Sequence, residues 1–149
     1  MMILIGDGPL RAELESQAAS LGIAQRVRFL GYRADVGRLF HGIDVFVLAS
    51  KFEPFGIAIL EAKANGVPVL GAAVNEIPDL LSQGRSGRLF EAGSAQQFSQ
   101  GLLDLVRNPI GARAMAATAY REAELRHGLT AMIDAYQSLY DEIYSETHI

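Results

Sequence analysis

Two glutamates bracket Phe55-Gly56 at the start of an otherwise apolar predicted helix in the middle of the chain. They are Glu53 and Glu61, in the stretch SKFEPFGIAILEAKANGVPVL that runs from Ser50 to Leu70. An unpaired carboxylate is costly to bury, so each acid must reach water or a partner. Helical side chains lean toward the N-terminus, so Glu61, about one turn into the predicted helix, is aimed back at the loop that holds Glu53. The two acids are therefore expected to face one opening.

The loop before this helix has the features of an anion site. It follows Val45–Ala49, a predicted strand, and ligands of open α/β sheets bind beyond the carboxyl ends of the strands. Gly56 leaves the backbone without a β-carbon where the first free N–H groups of the helix point outward, which suits a diphosphate. Carboxylates accept hydrogen bonds from vicinal hydroxyl groups, so Glu53 and Glu61 suit the sugar and the ribose of a nucleotide-sugar.

The same residues also allow a purely structural interpretation. Ser50-x-x-Glu53 can form a capping box, with Phe55 as a hydrophobic staple. Glu61 can be a helix surface residue that pairs with a neighbour. The physical properties of the residues leave both interpretations open.

A second candidate site lies near the start of the chain, in LIGDGPLR. Gly6 and Gly8 stand between a predicted strand and a predicted helix, where small residues let backbone N–H groups approach a phosphate. The stretch is not a dinucleotide fingerprint, because Arg11 occupies the position of the third glycine. A tight structural turn explains the two glycines as well as ligand contact does. No G-x-x-x-x-G-K-[ST] loop is present, which excludes triphosphate hydrolysis by that route.

Short apolar runs alternate with helix-like stretches through residue 106. Runs rich in Val, Ile, Leu and Phe with little polar alternation are typical of a parallel sheet covered on both faces, so the pattern predicts βαβ units and an α/β fold. The predicted strands are Met2–Ile5, Val27–Leu30, Val45–Ala49, Val67–Leu70 and Gly87–Phe90. The predicted helices are Pro9–Leu21, Val36–Phe40, Ile57–Asn65, Pro78–Ser82 and Ala95–Val106.

Two further helices are predicted after Asn108-Pro109, over about residues 109–146. In the second, apolar residues recur at three- and four-residue spacing, which makes an amphipathic stripe. Packing into the core is the favoured explanation of the stripe, and a groove for a partner is the alternative. The stripe consists of Met132, Ile133, Tyr136, Leu139, Tyr140 and Ile143.

The composition limits the class of protein. The 149 residues, half of them hydrophobic, suit one compact domain over residues 1–149. A formal net charge of -4 without long acidic or basic runs disfavours nucleic acid and anionic membranes as partners. The chain has no cysteine, so it has neither disulfides nor thiolate metal sites, and a cytoplasmic location is expected.

The stretch from Ser50 to Leu70 resembles the signature of the retaining glycosyltransferases of family 4, S-x-x-E-x-F-G-[IL]-x-x-x-E-A-x-A-x-G-x-P-V. The likeness continues in sequence order through ILIGDGPLRAELESQAASLGI, RVRFLGYRADVGRLFHGIDVFVLAS and SGRLFEAGS, and so covers nearly the whole chain. The resemblance implies a Rossmann-like parallel sheet flanked by helices. This would be the C-terminal, nucleotide-sugar-binding half of a GT-B fold, lacking its first strand.

The resemblance assigns roles only to the residues that match. Glu53 is implied to be catalytic and to hold the donor sugar near its reacting carbon, and Glu61 is implied to bind the ribose hydroxyl groups. Backbone N–H groups at Phe55, Gly56 and Ile57 are implied to bind the sugar and the diphosphate. The remaining implied donor contacts are Tyr32 and Arg33 along the base and Gly6 and Gly8 in the cleft.

The implied reaction is sugar transfer with retention, from a nucleoside diphosphate sugar to an unknown acceptor that is a glycan, a lipid or a small molecule. No Asp-x-Asp pair occurs, and His41, His127 and His148 lie far apart in sequence, so neither a metal nor another cofactor is expected. The acceptor-binding N-terminal domain of the family has no counterpart here. The chain alone is therefore expected to be inactive, with any peripheral contact to the inner membrane made through that domain.

Some positions depart from the family pattern. Lys63 stands where an apolar residue is usual, and Asn75-Glu76 replaces the usual glycine pair. Three other functions remain open from the sequence. They are a nucleotide-sugar-binding module without chemistry, a nucleotide-sugar epimerase of related fold, and a plain α/β interaction domain.

Overall fold

The computed structural model describes residues 1–147 and divides the chain into two compact units, Met1–Leu39 and Phe40–Ile149. Each unit has its own parallel sheet. The predicted α/β class with parallel sheets and flanking helices is confirmed. A single domain over residues 1–149 stays a prediction.

The first unit is one βαβ element. Strand β1 (Met2–Leu4) and strand β2 (Val27–Phe29) pair in parallel and are joined by helix α1 (Arg11–Ser20). A 3-10 helix (Ala24–Arg26) leads into β2, and the unit ends with α2 (Val36–Leu39). Beyond the strands, an antiparallel bridge joins Gly6 and Gly31, which brings the carboxyl ends of β1 and β2 together.

The second unit contains a three-stranded parallel sheet in the order β3-β4-β5. Four apolar residues of the central strand β4 are buried, as a strand covered on both faces requires. The unit's regular elements are a 3-10 helix Phe40–Gly42, β3 (Phe46–Leu48), α3 (Ile57–Ala64), β4 (Val69–Ala72), α4 (Ile77–Leu80), a 3-10 helix Ser82–Gly84, β5 (Arg88–Phe90), α5 (Ala95–Arg107), α6 (Pro109–His127) and α7 (Leu129–Thr147).

Local sequence explains where the later helices begin. Ser94 caps α5, because its hydroxyl oxygen accepts the N–H of Gln97 at 3.3 Å. Asn108 caps α6 in the same way, accepting the N–H of Gly111 at 3.0 Å, and Pro109 takes the first helical position.

The core of the second unit lies between its sheet and its helices. One cluster joins β4 and β5 to α5 and α6 through Leu70, Ala72, Phe90, Leu105 and Ala112. Helix α6 packs against α3 through small residues, which let the two helices approach closely. The buried residues of α6 are Ala112, Ala116, Ala119 and Ala123.

Helix α7 corrects one prediction. Its amphipathic stripe is not buried in a core: Met132, Tyr136 and Tyr140 are 50%, 55% and 65% exposed. The helix contacts α6, and the apolar stripe of α7 stays at the surface. No helix within residues 1–147 combines the length and the hydropathy needed to cross a bilayer.

The central cluster supports a stability prediction. Truncating the buried Leu105 to alanine removes apolar contacts with the sheet and leaves a cavity, so we expect Leu105→Ala to lower the free energy of unfolding by about 2 to 5 kcal/mol. Urea unfolding followed by circular dichroism measures the change. The matched control is Leu125→Ala on α6, where the side chain is 75% exposed. Equal losses in the two variants would contradict the placement of Leu105 in the core.

Candidate functional site

The predicted catalytic residue, Glu53, lies in the loop between β3 and α3 and is held by its own loop. Its Oε1 accepts the N–H of Gly56 at 3.1 Å, and its Oε2 accepts the Ser50 hydroxyl at 3.4 Å. The Glu53 N–H donates to Asn75 Oδ1 at 3.3 Å. Both carboxylate oxygens and the backbone N–H of Glu53 thus have hydrogen-bond partners, so the acid is oriented before any ligand arrives.

Gly56 is the turn that starts α3. Its φ of +83° lies in the left-handed region, where a β-carbon is strained. A β-carbon here would also come within 2.9 Å of Leu80 Cδ1. The backbone conformation therefore favours glycine, and an added β-carbon would also force the end of the Leu80 side chain to shift.

The first turn of α3 lacks a side-chain cap in the described part of the chain. The N–H groups of Ile59 and Leu60 donate to Gly56 O at 2.9 and 3.3 Å, which closes the first turn. The helix start therefore presents the amides of Ile57 and Ala58 and the positive end of the helix dipole. The capping-box interpretation of Ser50 and Glu53 is wrong, because neither residue caps α3.

Glu61 and Ile57 line a cavity of about 360 Å³ between α3 and α6. The α6 side of this cavity includes Tyr120, Glu124 and His127. Burial lowers the pKa of His127 from 6.5, and positive charges nearby lower it further, so the imidazole is neutral at physiological pH. Of the predicted site residues, Glu53, Phe55 and Gly56 do not line the cavity. The side chain of Phe55, which precedes the cavity residue Ile57 in the chain, is 50% exposed.

Four of the predicted donor contacts belong to the first unit. Gly6 donates its N–H to Gly31 O at 2.8 Å, and the Gly8 N–H donates to Asp7 Oδ1 at 2.9 Å. Tyr32 follows β2 and is 83% exposed.

Arg33 forms a two-point ion pair with Asp35. The distances are 2.7 and 2.6 Å, and the hydrogen bond from Arg33 lowers the pKa of Asp35. The guanidinium therefore already has a carboxylate partner in this structure.

Sequence reasoning missed a buried polar network behind α3. Lys63 is 1% exposed, and its Nζ donates to Leu80 O at 2.6 Å and to Glu122 Oε2 at 3.2 Å. The Ser82 hydroxyl donates to the same Oε2 at 2.9 Å. A lysine in the apolar stretch IAILEAKA was the available signal, because a buried ammonium needs a partner. The identity of that partner, Glu122, could not be inferred from the sequence, because it lies 59 positions later on α6.

The network shifts the titration of Glu122. Burial acts to raise the pKa of its carboxyl group. The hydroxyl groups of Ser86 and Ser82 and the Lys63 ammonium outweigh burial, so the pKa lies below its ordinary 4.5. Within residues 1–147 the buried Ser86 hydroxyl makes no hydrogen bond of ordinary geometry, although it lies close enough to favour the charged carboxylate.

Metal-ligating side chains do not cluster in the described region. Across residues 1–147 there is no group of three or more His, Cys, Asp or Glu placed to hold a metal ion. His148, one of the histidines named above, lies outside the described residues.

Comparison with known proteins decides the family. The family model described as "Glycosyl transferases group 1" matches residues 1–122. The chain belongs to this family. The residues that match include the Glu53 loop, all of α3 and the elements that surround them.

Individual group 1 relatives match nearly the whole chain. It is 30% identical to N-acetyl-alpha-D-glucosaminyl L-malate synthase from Bacillus anthracis over 142 residues, which is 95% of this chain and 37% of the relative. It is 31% identical to the lipopolysaccharide core biosynthesis glycosyltransferase LpsE from Rhizobium meliloti, over 91% of this chain and 40% of LpsE.

Solved structures agree with the fold. The crystal structure of Anabaena Alr3699/HepE in complex with UDP has a TM-score of 0.85 and 29% identity, over 93% of this chain and 40% of HepE. HepE in complex with UDP-glucose has a TM-score of 0.84 and 30% identity, over the same shares. The chain thus spans about two fifths of the length of the proteins it matches.

The contact between Gly56 and Leu80 makes a prediction for stability. Gly56→Ala adds backbone strain and a clash, so we expect it to lower the free energy of unfolding by about 2 to 4 kcal/mol. Gly66→Ala is the matched control, because Gly66 also has a positive φ, +65°, but an added β-carbon there meets nothing within 4 Å. Its expected cost is the backbone strain alone, about 1 to 2 kcal/mol. Equal losses in urea unfolding would show that the Leu80 contact does not constrain Gly56.

The Glu122 network makes a prediction for pH. Because the folded-state pKa lies below 4.5, the charged carboxylate stabilises the fold above pH 4.5, and this stabilisation is lost as the pH falls through the folded-state pKa. We expect Glu122→Gln to cost about 1 to 3 kcal/mol at neutral pH and less under acid conditions. Urea unfolding of both proteins at neutral pH and well below pH 4.5 measures this, with Glu13→Gln as the variant at an exposed glutamate. A cost that is the same at both pH values would refute the assignment.

Proposed function

We propose that this chain is the donor-binding part of a retaining, family 4 glycosyltransferase that takes its sugar from a nucleoside diphosphate sugar. The observation that carries the proposal is the loop from Glu53 to α3. It combines an oriented carboxylate with an uncapped helix start, and both lie just beyond the carboxyl end of β3.

The diphosphate is assigned to the start of α3. A phosphate oxygen there can accept from the amides of Ile57 and Ala58 and is favoured by the helix dipole. Phe55 and Gly56 complete the loop that passes over it, and the left-handed turn at Gly56 aims the first amides outward. This arrangement neutralises the leaving group with backbone dipoles, so the proposal includes no metal and no other cofactor.

Glu53 is assigned to the donor sugar. Its carboxylate is held by the Gly56 N–H and the Ser50 hydroxyl, and each oxygen keeps lone-pair capacity for a sugar hydroxyl. In the reaction the bond between the anomeric carbon and the diphosphate oxygen breaks, and the nucleoside diphosphate leaves with the electron pair. The acceptor hydroxyl oxygen forms the new bond on the same face, and its proton passes to the departing diphosphate oxygen. A carboxylate fixed near the anomeric carbon stabilises the positive charge that develops there.

Glu61 is assigned to the ribose. It lies one turn into α3, the helix whose start is assigned to the diphosphate. We propose that Tyr32 and Arg33 contact the base and that Gly6 and Gly8 line the cleft.

The acceptor and the groups that bind it are assigned to protein outside this chain. The chain covers 37% of the malate synthase relative and 40% of HepE, so turnover requires the remainder of such a protein. The proposed acceptor classes are a glycan, a lipid or a small molecule, and the proposed location is cytoplasmic. A nucleotide-sugar-binding module without chemistry is the alternative, and transfer by a full-length form separates the two.

Titration calorimetry with UDP and UDP-glucose tests the two acids separately. Glu61→Ala removes the proposed ribose contact, so it should weaken both ligands, by roughly 10- to 100-fold for a charged hydrogen bond. Glu53→Gln should weaken UDP-glucose and leave UDP unchanged, because only the former carries the sugar.

The control for these variants is Asp134→Asn, an exposed acid on α7. ADP and GDP with their glucose conjugates extend the test to other bases. The proposal fails if the chain binds none of these nucleotides, or if Glu53→Gln weakens UDP as much as UDP-glucose.

A further inference from the structure

The segment Asn75–Leu80 contacts the Glu53 loop at two separate points. Asn75 Oδ1 accepts the N–H of Glu53, and the Leu80 side chain lies against Gly56. The Asn75 hydrogen bond holds the backbone of Glu53, the proposed sugar-binding acid. The Leu80 side chain packs against the turn that starts α3. The position of this segment therefore affects the whole loop.

The end of this segment cannot be held by helical hydrogen bonds alone. Helix α4 stops at Leu80, and Ser82 and Gln83 have φ values of +50° and +55°, in the left-handed region. The chain thus turns away, and the last carbonyl groups of α4 need partners from elsewhere. The Leu80 carbonyl accepts from Lys63 Nζ at 2.6 Å.

Lys63 is placed for this contact by the helix period. It lies seven positions after Gly56, which is close to two turns, so both residues are on the face of α3 that meets the Asn75–Leu80 segment. Leu80 is thereby held twice by α3. Its carbonyl is bound by Lys63, and its side chain packs against Gly56.

Glu122 compensates the charge of the buried Lys63 ammonium and also binds Ser82 in the turn after α4. Its Oε2 accepts from Lys63 Nζ and from the Ser82 hydroxyl. One carboxylate oxygen thus connects α6 to Lys63, which binds the Leu80 carbonyl, and to Ser82, which follows Leu80 in the chain. Buried ion pairs of this kind can often be replaced by apolar residues without loss of stability. An apolar residue at position 63 would pack, but it would give the Leu80 carbonyl no donor.

We propose that Lys63 is a positioning residue for the donor loop, with Glu122 as its anchor. By holding the Leu80 carbonyl, Lys63 sets the Leu80 side chain against Gly56 and so fixes the direction of the first amides of α3. The link to donor binding rests on the proposed function. The link from Lys63 to the start of α3 does not.

The test separates positioning from stability with two variants. Lys63→Met keeps the side-chain volume but leaves Glu122 without its cation, so the protein should be less stable. Lys63→Met with Glu122→Met removes both charges, so stability should recover in part relative to Lys63→Met, and the unpaired Leu80 carbonyl should account for the loss that remains. In both variants the Leu80 carbonyl lacks its donor, so hydrogen exchange of the Gly56, Ile59 and Leu60 amides, which are hydrogen-bonded at the start of α3, should stay faster than in the wild type. UDP affinity should stay roughly 3- to 30-fold weaker.

Leu105→Ala is the control for a loss of stability elsewhere in the core. It should lower stability without selectively accelerating exchange of the Gly56, Ile59 and Leu60 amides. If the double variant regains wild-type exchange together with stability, Lys63 is structural only and the inference is overturned. If the wild type binds no UDP, ADP or GDP, the proposed function fails, and the exchange measurement alone still decides the role of Lys63.

Discussion

The contact between Leu80 and Gly56 is the constraint on which the site depends. Helix α3 must begin immediately after a loop that crosses the carboxyl end of the sheet, and the chain achieves this with one left-handed residue. A β-carbon at that residue would force the Leu80 side chain to shift, because Leu80 lies against it. The same turn directs the Gly56 N–H to Glu53 and leaves the following amides at the helix start. Backbone conformation, packing and the orientation of the acid are therefore set together.

The position of α3 depends in turn on what lies behind it. Alanines on α6 let that helix come close to α3, and a close approach brings Glu122 within reach of Lys63. In the resulting network Glu122 Oε2 accepts both the Lys63 ammonium and the Ser82 hydroxyl. Directional hydrogen bonds to a buried charge restrict its surroundings more strictly than apolar packing does. This explains how a region of short strands and four-residue helices presents a defined loop.

Much of this was predictable from residues that interact locally. Val45–Ala49 and Gly87–Phe90 were predicted as strands and contain β3 and β5, because a buried parallel strand needs a continuous apolar run. The start of α3 at Ile57 was also predicted, from Gly56 before an apolar run. The errors have one kind of cause. The capping box and the buried α7 stripe are plausible from spacing, but each depends on how distant parts of the chain pack.

The sequence by itself determined the α/β class, the order of the elements and the family motif with its two glutamates, because these follow from residue type and spacing within a few turns of chain. Tertiary structure alone decided that Asn75 bonds to Glu53, that Lys63 pairs with Glu122, and that Glu61 shares a cavity with His127. Each of these contacts joins residues more than 20 positions apart. Such contacts depend on helix crossing angles and on the register of the sheet, which arise when all the elements pack at once, and no local pattern encodes them.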